Sequence, residues 1–139
     1  MRAFRLWAPV VAYMAAIFSV SSLPDVSIPG GGDKPWHAVA YFGLVVTVVR
    51  AIAGGMPRRI GLRTAALAAA IAVAYAATDE MHQMFVPGRS ADVADLIADA
   101  VGVCVGTAAC WAWGIIAQGR PNARRNARRG VRRSSRDEL

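Results

Sequence analysis

Four long apolar segments, separated by polar residues, glycine and proline, divide the 139-residue chain. They cover residues 6–22, 35–53, 62–78 and 93–117. These lengths suit helices that cross a bilayer, because about 20 residues rising about 1.5 Å each span a hydrocarbon core of about 30 Å. The alanine-rich segments do not alternate as barrel strands do, and only helices or closed barrels satisfy their backbone groups in lipid. The pattern therefore predicts an all-α polytopic membrane protein with four transmembrane helices running up and down.

The charged residues between these segments are sorted by sign. Arginine flanks the chain start and the second loop, at positions Arg2, Arg5, Arg50, Arg58, Arg59 and Arg63. Acids fill the first and third loops, at positions Asp25, Asp33, Asp79, Glu80, Asp92 and Asp95. Since short loops rich in Lys and Arg stay in the cytoplasm, both termini and the second loop are predicted to be cytoplasmic. The start of the chain resembles a secretory signal, but Ser-Ser-Leu-Pro is a poor cleavage site, which favours a retained first helix.

Composition separates a transmembrane domain, residues 1–118, from an arginine-rich cytoplasmic tail, residues 119–139. Apolar residues make up 55% of the chain, and eight Arg against two acids give the tail +6 of the formal net charge of +7. The tail is predicted to be disordered and to contact anionic inner-leaflet lipids, each Arg near the surface contributing about 1 kcal/mol. An RNA-binding tail is the alternative. No nucleic-acid partner is predicted, because few aromatic residues are present to stack on bases.

Polar residues recur at the predicted outer ends of the second and third segments. Asp33, His37 and Tyr41 are spaced by four and share one helical face, with Lys34 beside them. The third segment and the turn after it contribute Asp79, Glu80, Gln83 and Arg89. Ionisable groups at membrane depth normally point into the bundle, where opposite charges pair. Lys34 and Arg89 are the only Lys or Arg in this set, so they are expected to neutralise some of the acids.

The fourth segment carries both acids and glycines on one helical face. Asp92, Asp95 and Asp99 are separated by three and four residues, and the face continues through Gly102 and Gly106. The two glycines form a small-x-x-x-small pattern that allows a neighbouring helix to approach closely. We therefore predict an outward-facing polar pocket that is built by the second, third and fourth helices.

Four motifs in the chain resemble those of the VanZ-like family. They are Ser-Ser-Leu-Pro at 21–24, Asp-Lys-Pro-Trp-His-x-x-x-Tyr at 33–41, Asp-Glu-x-x-Gln-x-Phe-x-Pro-Gly-Arg-Ser at 79–90, and Asp-x-x-Asp-x-x-x-Asp-x-x-Gly-x-x-x-Gly at 92–106. The resemblance implies a small multi-pass protein of the bacterial cytoplasmic membrane, and the name-giving relative is associated with resistance to teicoplanin-type glycopeptides. The matching positions are Asp33, Lys34, His37, Tyr41, Glu80, Gln83, Arg89, Asp95 and Asp99. Because the family often has Asn at the last position, the resemblance does not require a carboxylate there.

Three function classes are consistent with these residues. In the preferred class, an envelope protein binds, and in one version modifies, a lipid-linked or cell-wall component or lipid headgroup. Arg89 and Lys34 would then hold its phosphate or carboxylate. His37 and Glu80 are the acid/base candidates, because apolar surroundings can bring their protonation equilibria towards neutral pH. The alternatives are a cation- or proton-coupled transporter and a purely structural polar clasp.

Metal binding would need ligands with a diagnostic spacing. Histidine and carboxylate ligands are present, but there is no His-x-x-x-His or His-Glu-x-x-His motif, so no metal site is predicted. The sequence identifies no cofactor.

The charge asymmetry yields a testable topology. Reporters fused after Arg59 and after Gly119 should read as cytoplasmic, because arginine-rich loops are retained inside. A reporter inserted near Gly31 or Gly88 should read as external. The opposite pattern in paired phosphatase and fluorescent-protein fusions would contradict the orientation.

Overall fold

The protein is all-helical in the part of the chain that the structure, a computed structural model, describes: residues 1–24, 32–56 and 59–137, with side chains as far as residue 117. The elements are α1 (Arg2–Ser21), α2 (Lys34–Ile52), α3 (Leu62–Gln83) and α4 (Val93–Asp137). All four helices are long and apolar enough to cross a membrane, α4 by its portion Val93–Ala117. The predicted fold class is confirmed.

Two helices extend further than the apolar segments that predict them. α3 continues past residue 78 to Gln83, so Asp79, Glu80 and Gln83 lie on its last turns. α4 continues to Asp137, where the sequence favoured disorder. Alanine and arginine are strong helix formers, which accounts for a helical backbone in this segment. The division into a transmembrane domain and a tail stays a prediction, and Asp25 and Arg58 lie outside the described residues.

Polar contacts at the helix ends show that consecutive helices alternate in direction. Arg2 donates to the carbonyl oxygen of Gly54 at 3.4 Å, which places the start of α1 beside the end of α2. Arg50 donates to the carbonyl oxygen of Arg5, also at 3.4 Å. At the opposite end of the bundle, Ser21 at the end of α1 contacts Asp79 near the end of α3. The side of the membrane that each end faces stays a prediction.

α2 is the central helix, and small residues on its neighbours let them approach it. A Cβ atom on Gly102 of α4 would collide with the carbonyl group of Ala38, and one on Gly106 would lie 2.5 Å from Val45 Cγ1. From the other side, Tyr13 of α1 lies against Gly43. α3 contributes a fully buried row of alanines spaced by four, Ala68, Ala72 and Ala76. Close backbone packing of this kind replaces the hydrophobic driving force that is missing between helices in lipid.

The Gly102 contact can be tested by adding one methyl group. Gly102→Ala should lower the free energy of unfolding by about 1–3 kcal/mol or more, because the added carbon meets backbone atoms that cannot move aside. Gly61→Ala is the matched control, since nothing lies within 4 Å of its Cβ position and its φ is −83°. Unfolding midpoints in detergent, followed by tryptophan fluorescence, measure the difference. Equal midpoints for the two variants would contradict the close approach of α4 to α2.

Candidate functional site

Four carboxyl groups are buried at one end of the bundle, where α1 and α3 end and α2 and α4 begin. They belong to Asp79 and Glu80 of α3 and to Asp95 and Asp99 of α4, and each of these residues is 6% exposed or less. We call this region the acidic end. A buried carboxyl group needs hydrogen bonds or an opposite charge, because burial without partners is costly. The neighbours of each one therefore define the site.

Lys34 connects the first turn of α2 to the start of α4. Its Nζ donates to Asp95 Oδ1 at 3.1 Å and to Asp92 Oδ2 at 3.3 Å, and it lies 3.7 Å from Asp33 Oδ1. Asp92, directly before α4, also accepts a hydrogen bond from the Ala94 backbone N–H at 2.8 Å. This backbone hydrogen bond, together with Lys34, lowers the pKa of Asp92 below its usual value. The two residues form a polar link between α2 and α4 at the rim of the acidic end.

His37 lies one turn deeper than Lys34, between two carboxylates of α4. Its Nδ1 is 3.1 Å from Asp99 Oδ1, within hydrogen-bond distance, and its Nε2 is 3.9 Å from Asp95 Oδ2. The predicted faces of α2 and α4 thus meet in the structure. Asp99 is almost completely buried, and among the described residues His37 is its side-chain hydrogen-bond partner.

Glu80 fastens the end of α3 to the loop that precedes α4. Its Oε2 accepts a hydrogen bond from the Asp92 backbone N–H at 2.9 Å, and its Oε1 accepts one from Gln83 Nε2 at 3.3 Å. Both oxygen atoms of this buried carboxyl group are therefore oriented by fixed donors.

α1 also contributes to the acidic end, which the sequence analysis missed. The Ser21 hydroxyl donates to Asp79 Oδ1 at 2.6 Å, and Ser22 Oγ lies 3.0 Å from His82 Nε2. The only signal in the sequence was the Ser-Ser-Leu-Pro motif, which does not by itself indicate a partner. The pair of Ser21 and Asp79 fixes the end of α1 against α3.

Arg89 was expected to neutralise some of the acids, but it pairs with none of them in the part of the chain that the structure describes. It is half-buried, and its Nε donates to the carbonyl oxygen of Leu23 at 3.3 Å. Among the described residues it forms no ion pair, so Lys34 and His37 are the groups that face the buried acids. The two terminal nitrogens of the guanidinium group have no partner among those residues.

A cavity of about 420 Å³ opens beside the acidic end. Its apolar wall comes from α1 and α2, with Tyr13, Ile17, Val20 and Trp36. Its polar residues are Ser21, Asp33, His37, Tyr41, Asp79, Gln83 and Arg89. The predicted pocket was to be built by the second, third and fourth helices, whereas α1 takes the place of α4 in this lining. Asp92, Asp95 and Asp99 are not among its lining residues. They are connected to the site by contacts with Lys34, His37 and Glu80.

Tyr41 occupies an unusual position in this lining. The residue is 1% exposed, and its hydroxyl group has no hydrogen-bond partner among the described residues. Its ring lies near that of Tyr75, with 6.4 Å between the centroids. Buried hydroxyl groups normally have a partner, so Tyr41 is an exception among the buried polar side chains that the structure describes.

Ligand types suitable for a metal ion meet in two groups of described residues. One consists of Asp33, His37 and Asp95, and the other of His37, Glu80 and Asp99. In each group the possible ligand atoms lie within 4.8 Å of one another. The sequence showed no metal-binding spacing, because the residues of the second group come from three different helices.

Comparison with known families places this arrangement in context. The family model described as VanZ/LLP1 matches residues 7–116, which include every residue of the acidic end and all of the four predicted spans except residues 6 and 117. The chain belongs to the VanZ/LLP1 family. No curated protein and no solved structure gives a significant match. The resemblance inferred from the four motifs is thereby confirmed, and with four membrane-type helices this VanZ/LLP1 protein is a multi-pass membrane protein.

The link between α1 and α3 can be tested at Ser21. Ser21→Ala should lower the free energy of unfolding by about 1–3 kcal/mol, because Asp79 stays buried after losing a donor. Ser19→Ala is the control, since its exposed hydroxyl contacts only the Ala15 carbonyl, and a change within about 0.5 kcal/mol is expected. Chemical unfolding in mixed micelles provides the measurement. A Ser21 variant as stable as the Ser19 variant would show that Asp79 does not depend on α1.

Proposed function

We propose that this VanZ/LLP1 protein binds an anionic lipid or lipid-linked cell-wall component at the outer face of the bacterial cytoplasmic membrane. The observation that carries the proposal is the cavity of about 420 Å³, which has apolar walls and a polar end. Ligand pockets typically combine a mainly apolar lining with a few convergent polar groups, in a volume of about 300–1,000 Å³. A lipid with a small charged headgroup fits such a cavity, with its chain against the apolar walls and its headgroup at the polar end.

Arg89 is the residue proposed to hold the headgroup. It lines the cavity, and only its Nε has a described partner. The two terminal nitrogens can donate in parallel to a phosphate or carboxylate, a geometry that lysine cannot reproduce. Asp79 and Gln83 line the same end. The Gln83 amide group has a second N–H, which can donate to the same headgroup.

The apolar part of the ligand is proposed to enter between α1 and α2. Trp36 and Val20 line the cavity yet are 61% and 58% exposed, so they lie at its mouth on the apolar surface of the bundle. In a membrane this surface contacts lipid, and a chain can pass from the bilayer into the cavity without crossing water. A tryptophan at such a position is typical of the membrane interface.

The proposal is limited to binding. His37 is engaged by Asp99, and both oxygen atoms of Glu80 accept hydrogen bonds, so the two acid/base candidates are already committed to other partners. The polar clasp is the second candidate function, favoured by the contacts that Lys34 makes with Asp92 and Asp95. The two functions differ at Arg89, which the clasp does not use.

A lipid-binding measurement separates the two functions. With a polyprenyl phosphate as the probe, Arg89→Ala should weaken binding about ten- to a hundredfold, because hydrogen bonds to a charged group are lost. Arg89→Lys should restore only part of the affinity, and Arg63→Ala, an exposed arginine at the start of α3, should not change it. Native mass spectrometry of the detergent-solubilised protein gives the affinities. Unchanged affinity in Arg89→Ala, with binding intact in the parent, would favour the clasp.

Filling the cavity tests the same proposal without altering any charge. Ala16→Trp places a large side chain on the cavity wall, whereas Ala15→Trp adds the same side chain to an exposed neighbour that does not line it. The Ala16 variant should insert and fold normally but lose lipid binding and any effect on teicoplanin susceptibility in a sensitive host. If both variants keep that effect, the cavity has no part in it.

A further inference from the structure

We propose that His37, Glu80 and Asp99 bind one divalent transition-metal ion, with Zn²⁺ as the reference ion, between α2, α3 and α4. The three residues offer one nitrogen and two oxygen ligands from three different helices. This inference goes beyond lipid binding and does not rest on it.

The spacing of the ligand atoms suits such an ion. All three lie within 4.8 Å of one another, and His37 Nδ1 is 3.1 Å from Asp99 Oδ1. Zinc bonds of about 2.0–2.2 Å in a tetrahedral site place neighbouring ligand atoms roughly 3.3 Å apart. The pair of His37 and Asp99 is already close to this separation, and Glu80 offers a carboxylate oxygen within 4.8 Å of both as the third ligand.

The charges around the three residues favour a cation. Among the described residues, Lys34 and His37 are the basic groups that pair with any of the four buried carboxyl groups, and Lys34 is half exposed at the rim. Buried carboxylates are normally paired or coordinate a metal. A divalent ion at the triad would compensate Glu80 and Asp99 directly. The imidazole ligand favours zinc or a similar transition metal over Mg²⁺ and Ca²⁺, which prefer oxygen ligands.

The residues behind the triad resemble the outer shell of a metal site. The Asp92 backbone N–H and the Gln83 amide orient the two oxygen atoms of Glu80, and Asp95 lies 3.9 Å from the second ring nitrogen of His37. A carboxylate facing the distal nitrogen of a ligating histidine fixes its ring orientation and raises its basicity.

Tyr41 provides an independent observation. It follows His37 by one turn of α2, and the two residues line the same cavity. Its hydroxyl is buried and has no hydrogen-bond partner in the described structure. An ion with three protein ligands keeps a position for water. Such a water molecule would give the Tyr41 hydroxyl the partner that the protein alone does not supply.

The second group of possible ligands, Asp33, His37 and Asp95, is a poorer site. The Lys34 ammonium group lies 3.1 Å from Asp95 and 3.7 Å from Asp33, so a metal ion there would meet a positive charge. No lysine or arginine contacts Glu80 or Asp99 among the described residues. The triad is therefore the preferred position.

Metal binding by the full-length protein tests the proposal. The chain should be purified in detergent with a tag that lacks histidine, stripped with a chelator, and titrated with Zn²⁺ against a fluorescent chelator. We expect one high-affinity site per chain. His37→Gln and Asp99→Asn should each weaken binding at least about 100-fold, and Gln83→Leu about tenfold, since outer-shell changes typically cost 10- to 100-fold. His82→Gln is the matched control, because this histidine contacts Ser22 and lies outside the triad.

The outcomes are distinguishable. Cobalt substitution should give a visible absorption spectrum that His37→Gln abolishes and His82→Gln preserves. No site of micromolar affinity in the parent, equal affinities for the two histidine variants, or a cobalt–thiolate band from Cys104 or Cys110 would overturn the proposal. Unfolding midpoints without metal identify any variant that fails to fold. The near-isosteric Asp99→Asn then replaces His37→Gln, and unchanged zinc affinity in it counts against the site.

Discussion

The burial of four carboxyl groups at one end of a membrane bundle is the constraint on which the rest of the structure depends. An uncompensated charge at this depth is expensive, so each acid must have a donor or a cation within reach. Ser21 supplies a donor to Asp79 and Lys34 pairs with Asp95. His37 faces Asp99, and backbone and amide donors hold Glu80. These partners come from α1, α2, α3 and the loop before α4, while α3 and α4 carry the acids, so the acids also determine how the helix ends are arranged.

The same arrangement requires α2 and α4 to be unusually close. Hydrogen-bond distances between His37 and Asp99 are possible only if the helix axes approach at that level, and Gly102 lies three residues after Asp99 on the approaching face. Gly102 and Asp99 thus act together: the close backbone contact at Gly102 brings His37 within hydrogen-bond distance of Asp99. A side chain at Gly102 would separate His37 from Asp99 as well as disturb the packing.

The sequence was sufficient for the helices and for which residues share a face, because apolar length and a spacing of three or four residues are local properties. It could not supply the pairing across helices, as the contact between Ser21 and Asp79 shows, since the partners are 58 positions apart. It also underestimated α3, because the polar residues after position 78 end an apolar pattern without ending a helix. For Arg89 the charge count was misleading. The loop directs its guanidinium group to the Leu23 carbonyl, which no charge pattern encodes.

The attachment of α1 has a consequence for how the protein is made. Tyr13 packs on Gly43 of α2, so these two helices can associate as soon as both have left the ribosome. Two polar contacts of the second half of α1 are made with α3: the Tyr75 hydroxyl donates to the Met14 carbonyl oxygen, and the Ser21 hydroxyl donates to Asp79. During synthesis the contact between Ser21 and Asp79 therefore forms only after the far end of α3 has been made. The position of α1, the first helix to be synthesised, is therefore fixed only when α3 has been inserted.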